Sequence, residues 1–139
     1  MNDEGDEARR GERQIEDVLG PLGGAIARVV IEQREATVAD VVEALSRTRR
    51  ASAYTTVMTV MGRLYERGVL ARRKLGRQYV YRPAAAETAL VDALSERAVD
   101  EVIERYGQAA LRQFAERLGE LDPDMRARLV DLASRREER

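Results

Sequence analysis

The sequence predicts a mostly α protein in which three helices and a two-stranded hairpin precede a long helical extension. Three observations predict it. Apolar residues recur at i, i+3, i+4 spacing from Leu22 to Leu64, and again from Leu90 to Ala133. Between those blocks Val80 alternates with Tyr79 and Tyr81, the period of a strand, close behind the glycine-containing run Lys74-Leu75-Gly76-Arg77. Charge is also segregated. From Arg47 to Arg82 there are ten Lys/Arg and one acid, Glu66, whereas the other 103 residues carry 14 bases and 24 acids. A nearly neutral chain has placed about +9 on one segment and about −10 elsewhere.

Composition narrows the classes open to the chain. At 139 residues it suits one domain with an extension. Hydrophobic residues are 44% of it, enough for a core, but there is no Trp and one Phe, so Val, Leu, Ala, Ile and Met must build that core. There is no Cys and no His, which removes disulfides, thiolate metal sites and the commonest general base. No Walker loop, GxSxG or carboxylate metal loop is present, so neither an enzyme nor a metal or other cofactor is expected. No apolar run approaches the ~20 residues of a membrane span. The polar N-terminus is unlike a secretory signal, and a soluble, cytoplasmic protein is expected.

Each element has its own signal. Residues 1–13 lack apolar periodicity and are expected to be a disordered tail. A first helix begins near Gly20-Pro21, where a proline fits the first turn, with Leu22, Ala25, Ile26, Val29 and Val30 on one face. Gly23 and Gly24 cost it roughly 1 kcal/mol each relative to Ala, so packing holds it or a neighbour approaches there. Thr37 with Asp40 forms a variant capping box for a second helix, whose apolar side is Val38, Val41, Val42 and Leu45. Ser52 is expected to cap a third helix over residues 53–67, with Val57, Val60, Met61 and Leu64 buried and Gly68 as its stop. Strands are expected at Val69–Arg73 and Gln78–Arg82, ended by Pro83. Three helices and such a hairpin form a winged helix–turn–helix domain, here residues 14–83.

Residues 84–139 are expected to be a helical dimerisation region. Leu90, Leu94, Val102 (or Val99), Ile103 and Tyr106 make one stripe, and Leu111, Phe114 and Leu118 a second. Asp122-Pro123 restarts a last helix carrying Leu129 and Leu132. A tail of this length cannot bury both stripes alone, so a second copy is the economical cover, with folding back on the winged domain as the alternative.

The third helix and hairpin carry the candidate chemistry. Thr55, Thr56 and Thr59 offer hydroxyls to phosphates or bases and methyls to thymine. They are mediocre helix formers, so three of them together have a propensity cost. Ser52 stands at the start of this face. Arg63 lies one turn past Thr59 and faces either a phosphate or a carboxylate, Glu66 or Glu43. Met58 either touches a thymine methyl or packs on the wing. Arg72, Lys74 and Arg77, with Arg73, cluster on the hairpin, where Gly76 lets the tip lie against a sugar–phosphate backbone. The bland reading is a solvated charged edge that discourages strand pairing. Arg72 and Arg73 alternate in facing, so one of them meets DNA. Tyr81 goes to the core, and Tyr79 can contact phosphate.

At these residues the sequence resembles the BlaI/MecI family of penicillinase and methicillin-resistance repressors. TVADVVEAL and YTTVMTVMGRLYERGVLARRKLGRQYVYRP carry the likeness, and Leu22 to Pro83 is the best-matching stretch. The resemblance implies a homodimeric repressor on a palindromic double-stranded operator. It also implies relief by cleavage in the C-terminal region, through a membrane sensor metalloprotease or another protease. The family's Asn-Phe cleavage position falls on Gln113-Phe114, with Gln for Asn, and Ile31 stands where relatives usually carry Trp. The lack of Cys excludes the copper-responsive branch. Two other readings are kept: a winged-helix regulator that responds to a small ligand, and a winged-helix module that binds protein.

Overall fold

Seven helices and one two-stranded antiparallel sheet follow one another in the computed structural model, which describes residues 14–137. The expected disordered tail, 1–13, lies outside them. The helices are α1 (Ile15–Leu19), α2 (Pro21–Gln33), α3 (Val38–Leu45), α4 (Tyr54–Glu66), α5 (Glu87–Tyr106), α6 (Gln108–Glu120) and α7 (Pro123–Glu137), and the strands are β1 (Leu70–Leu75) and β2 (Gln78–Pro83). The chain divides into two compact units after Glu96, within α5.

Local chemistry sets the boundaries in the first unit. At α3 the Asp40 N–H donates to Thr37 Oγ1 (3.1 Å) and the Thr37 N–H to Asp40 Oδ2 (2.9 Å), a capping box with Asp in place of Glu. α4 ends at Gly68, whose φ is 78°. The Gly68 N–H reaches Tyr65 O at 3.1 Å and the Val69 N–H reaches Leu64 O at 2.9 Å, the paired bonds of a Schellman stop. The start of α4 differs from expectation. Its N-cap is Ala53, and Ser52 Oγ instead donates to Arg50 O at 2.9 Å. Ser52 therefore stabilises the preceding loop, beside Thr48, whose Oγ1 accepts from the Arg50 N–H.

The hairpin is longer than its sequence signal. β1 runs to Leu75, which pairs with Gln78, so only Gly76 and Arg77 form the turn. Gly76 has φ 65° and Arg77 has no positive φ, the pattern of a type II′ turn. Ala36 adds an isolated bridge to Tyr81, with both N–H···O bonds at 2.9 Å, and so ties the loop before α3 to the wing.

The core of this unit is aliphatic. Ile15, Ile26, Ala27, Val30, Val41, Val57 and Met61 are fully buried, and Leu64, Val69, Leu70 and Tyr81 nearly so. Leu90 and Leu94, expected at a dimer face, belong to this same buried cluster. The correction has a simple cause: periodicity marks a face as apolar without saying what covers it, and here the winged domain covers the first turns of α5. α1 was also absent from the sequence expectation. Five residues are too few for a period, yet Ile15 is fully buried.

α1 and α2 meet at Gly24. A Cβ there would lie 2.5 Å from Glu16 Cα, so only glycine allows the approach; at Gly23 the nearest atom would be Leu19 Cβ at an ordinary 3.5 Å. The approach lets Arg28 join three helices. Its Nε donates to Glu16 Oε1 at 2.5 Å and its Nη2 to Glu16 Oε2 at 2.9 Å. Nη1 and Nη2 donate to Glu87 at 2.8 and 2.5 Å. Glu87 Oε2 also accepts from the Ile15 N–H at 3.1 Å, capping α1 from the first turn of α5. Hydrogen bonding from Arg28 holds both carboxyls below their ordinary range against partial burial, and the two carboxylates raise the Arg28 pKa in turn, Glu16 first.

In the second unit, Met125 N–H donates to Asp122 Oδ1 at 2.9 Å, the N-cap expected before Pro123. Ala110 is buried there, but most of the large apolar side chains stay outside. Val99, Val102, Tyr106, Leu111, Phe114, Leu118, Leu129 and Leu132 are all exposed, and Ile103 is half-buried.

Candidate nucleic-acid interface

The outer face of α4 follows from its inner one. With Val57, Met61 and Leu64 buried, helical geometry turns Thr55, Thr56, Met58, Thr59 and Arg63 outward, and all five are exposed. Gly62 has no atom within 4 Å of a built Cβ, so the middle of this face is open space. Thr59 Oγ1 donates to Thr55 O at 2.9 Å, one turn back. Its hydroxyl is thus engaged with the helix, and what Thr59 presents outward is chiefly its methyl group. Thr55 and Thr56 make no such bond among the described residues.

The cations of the wing divide into two kinds. Lys74 and Arg77 are exposed at and beside the turn and pair with no carboxylate among the described residues; the same holds for Arg63 on α4. Arg73 reaches Glu35 at 3.4 Å across solvent, an exposed pair worth little. Arg47 is similarly held by Glu43 at 3.5 Å. Arg72 differs from all of these. Its guanidinium carbon lies 3.9 Å from the centre of the Tyr65 ring and 4.0 Å from that of Tyr79. Nη1 also makes a long hydrogen bond, 3.4 Å, to the Tyr81 hydroxyl. That hydroxyl, then the nearby tyrosines, raises the Arg72 pKa above its ordinary value. Arg72, expected to grip DNA from the wing, is packed between aromatic rings. The cross-strand register explains this: Arg72 pairs with Tyr81 and Lys74 with Tyr79, so all four share one face. Tyr79 meets Tyr81 edge-on, with centroids 6.3 Å apart.

The arrangement is an exposed threonine-rich helix beside a hairpin tip with unpaired cations, on a buried aliphatic base. The sequence itself matches a known family. The penicillinase repressor family model covers residues 19–135. The chain belongs to the penicillinase repressor family. The transcriptional regulator BlaI of Mycobacterium tuberculosis, in two strains, is 37% identical over 117 residues, covering 82% of this chain and 84% of each relative. Penicillinase repressors and these relatives are transcriptional regulators, so the chain is a winged-helix transcriptional repressor and not an enzyme. Among solved structures, Bordetella bronchiseptica BpsR overlaps with a TM-score of 0.42 at 22% identity, covering 86% of this chain and 76% of that one. Mycobacterium tuberculosis Rv0081 overlaps at 0.40 and 18%, covering 72% and 93%.

The family match spans both the threonine helix and the exposed apolar stripes after residue 96. Two residues of the repressor's candidate interface escaped the sequence reading. Tyr54, the first residue of α4, is half exposed at the entrance of the threonine face. Tyr65, in its last turn, carries Arg72. The aromatic scarcity of the chain was the available signal: with five tyrosines in all, three of them within 15 residues of one arginine mark a deliberate cluster. No described helix is long and apolar enough to cross a membrane.

Proposed function

We propose that this repressor is a sequence-specific DNA-binding protein of the cytoplasm that holds a palindromic operator as a homodimer. The observation that carries the reading is the pairing of an exposed threonine face with unpaired cations inside one segment of about +9. In this reading Thr55, Thr56, Thr59 and Arg63 enter the major groove, with Met58 beside them. Ser52 shapes the approach to the helix. Lys74 and Arg77 neutralise phosphates from the wing tip, and Tyr79 lies at the edge of that contact. The exposed large apolar side chains between Val102 and Leu132 support a second copy as their cover, because so many are rarely left to water. The second unit, after Glu96, is then the dimerisation region, narrower than residues 84–139 because Leu90 and Leu94 are buried in the first unit. Relief by proteolysis at Gln113-Phe114, both exposed on α6, by a membrane sensor metalloprotease or another protease would cut through that region.

The test is binding, by fluorescence anisotropy, to a duplex from the repressor's own promoter and to a random duplex across a salt series. The promoter duplex is expected to bind at least about a thousandfold more tightly. Affinity falls with salt at a log–log slope of about −0.9 per phosphate neutralised, and Arg77→Ala reduces that slope by about one unit. Equal affinity for the two duplexes overturns the reading.

A further inference from the structure

We propose that Arg72 is a positioning residue: clamped between Tyr65 and Tyr79, it locks the wing to the end of the reading helix instead of binding DNA itself. The inference rests on the DNA-binding reading above. Tyr65 belongs to the last turn of α4, Arg72 to β1 and Tyr79 to β2, so one guanidinium spans all three elements. The hairpin has few other ties there. Its tip, Lys74 to Gln78, is exposed throughout, and the Ala36 bridge holds β2 only at Tyr81. The Arg73–Glu35 pair at 3.4 Å is exposed on both sides and a weak tie, so among the described residues the clamp is the main side-chain contact keeping Lys74 and Arg77 in register with the threonine face.

Planarity is the reason an arginine stands here. A guanidinium can lie flat on two ring faces at once, whereas an ammonium is a compact, strongly hydrated point charge. The phosphate alternative predicts the reverse, because a lysine serves a phosphate contact well. Arg72→Lys therefore separates the two roles while keeping the charge.

The experiment measures operator and random-duplex affinity, with salt slopes, for Arg72→Lys, Arg72→Gln, Tyr65→Leu and Arg72→Lys/Tyr65→Leu. Arg72→Lys is expected to weaken operator binding about five- to tenfold and random-duplex binding less than about twofold. Its slope stays unchanged, and Arg72→Gln leaves it unchanged too. Tyr65→Leu gives the same loss, and the double variant loses no more than either single one, since both remove one contact. Wild-type affinity in Arg72→Lys, a slope about one unit shallower in Arg72→Gln, or additive losses in the double variant each overturn the proposal. A second readout needs no DNA. Hydrogen exchange on the free repressor is expected to quicken at least about tenfold at the wing-tip amides in Arg72→Lys, with α2 and α3 unchanged. Unaltered wing exchange overturns the clamp, whereas failure of the wild type to prefer its promoter overturns the DNA reading alone.

Discussion

Two adjacent glycines in α2 are expected to respond to alanine with opposite signs. Gly24→Ala places a methyl 2.5 Å from Glu16 Cα, about 1 Å inside an ordinary carbon contact. The obstacle is backbone, so it cannot rotate aside; α1 must retreat by about that distance. Retreat stretches the Arg28–Glu16 bonds of 2.5 and 2.9 Å to the edge of hydrogen-bond range or past it, and loosens Ile15. Overpacking of this kind costs ~1–3 kcal/mol. The charged bonds add ~1 kcal/mol once discounted for the partial exposure of Glu16. Against both stands the helix gain of Gly to Ala, ~1 kcal/mol. The net effect is a destabilisation of ~1–3 kcal/mol.

Gly23→Ala takes the same propensity gain with its Cβ at 3.5 Å from Leu19 Cβ, an ordinary contact. It is expected to stabilise by ~0.5–1 kcal/mol. The assay is urea unfolding followed by far-ultraviolet circular dichroism, at one protein concentration so that self-association is held constant. The two variants should differ by ~1.5–4 kcal/mol. A Gly24→Ala protein as stable as Gly23→Ala would refute the close approach of α1.

Three further outcomes follow from the same geometry. Because Arg28 holds the Glu16 and Glu87 carboxyls low, the stability they contribute is full above the unfolded carboxylate pKa, ~4.3, and is lost as pH falls through their folded values; urea midpoints should drop steeply below about pH 4.5, and an equally steep drop in Glu87→Gln would count against the network. Thr59→Val keeps the outward methyl and removes only a hydroxyl spent on Thr55 O, so it should retain operator preference within about twofold; Thr59→Ala should alter base preference more than random-duplex affinity, and indistinguishable behaviour of the two variants on single-base operator changes would exclude methyl contact. Phe114→Asp places a charge in the exposed stripe of the second unit and should leave a monomer by sedimentation, with the fold of the first unit intact; an unchanged dimer would remove Phe114 from the interface.

What could be read from the sequence is what short stretches decide by themselves. The Thr37–Asp40 box, the Gly68 stop and the Asp122-Pro123 restart each need about four residues, and each stands where expected. The three-helix-and-hairpin order followed, as did the outward face of α4, because burial of Val57, Met61 and Leu64 leaves Thr55 and Thr59 nowhere else to point. The misses share the opposite character. Leu90 and Leu94 have the right period, but only the fold brings the winged domain over them. At Gly24 the sequence left packing or the close approach of a neighbour open, and only the fold names Glu16 as that neighbour. Arg72 counted as one positive charge among ten, and a charge count cannot tell a cation awaiting a phosphate from one already held by rings. Register decides that: a two-residue turn puts Arg72 on the face of Tyr79 and Tyr81, and the end of α4 supplies the third ring. In a basic wing, then, the number of cations overstates the number of phosphate contacts. Arg72 and Arg73 should be set apart from Lys74 and Arg77 before any salt slope is interpreted.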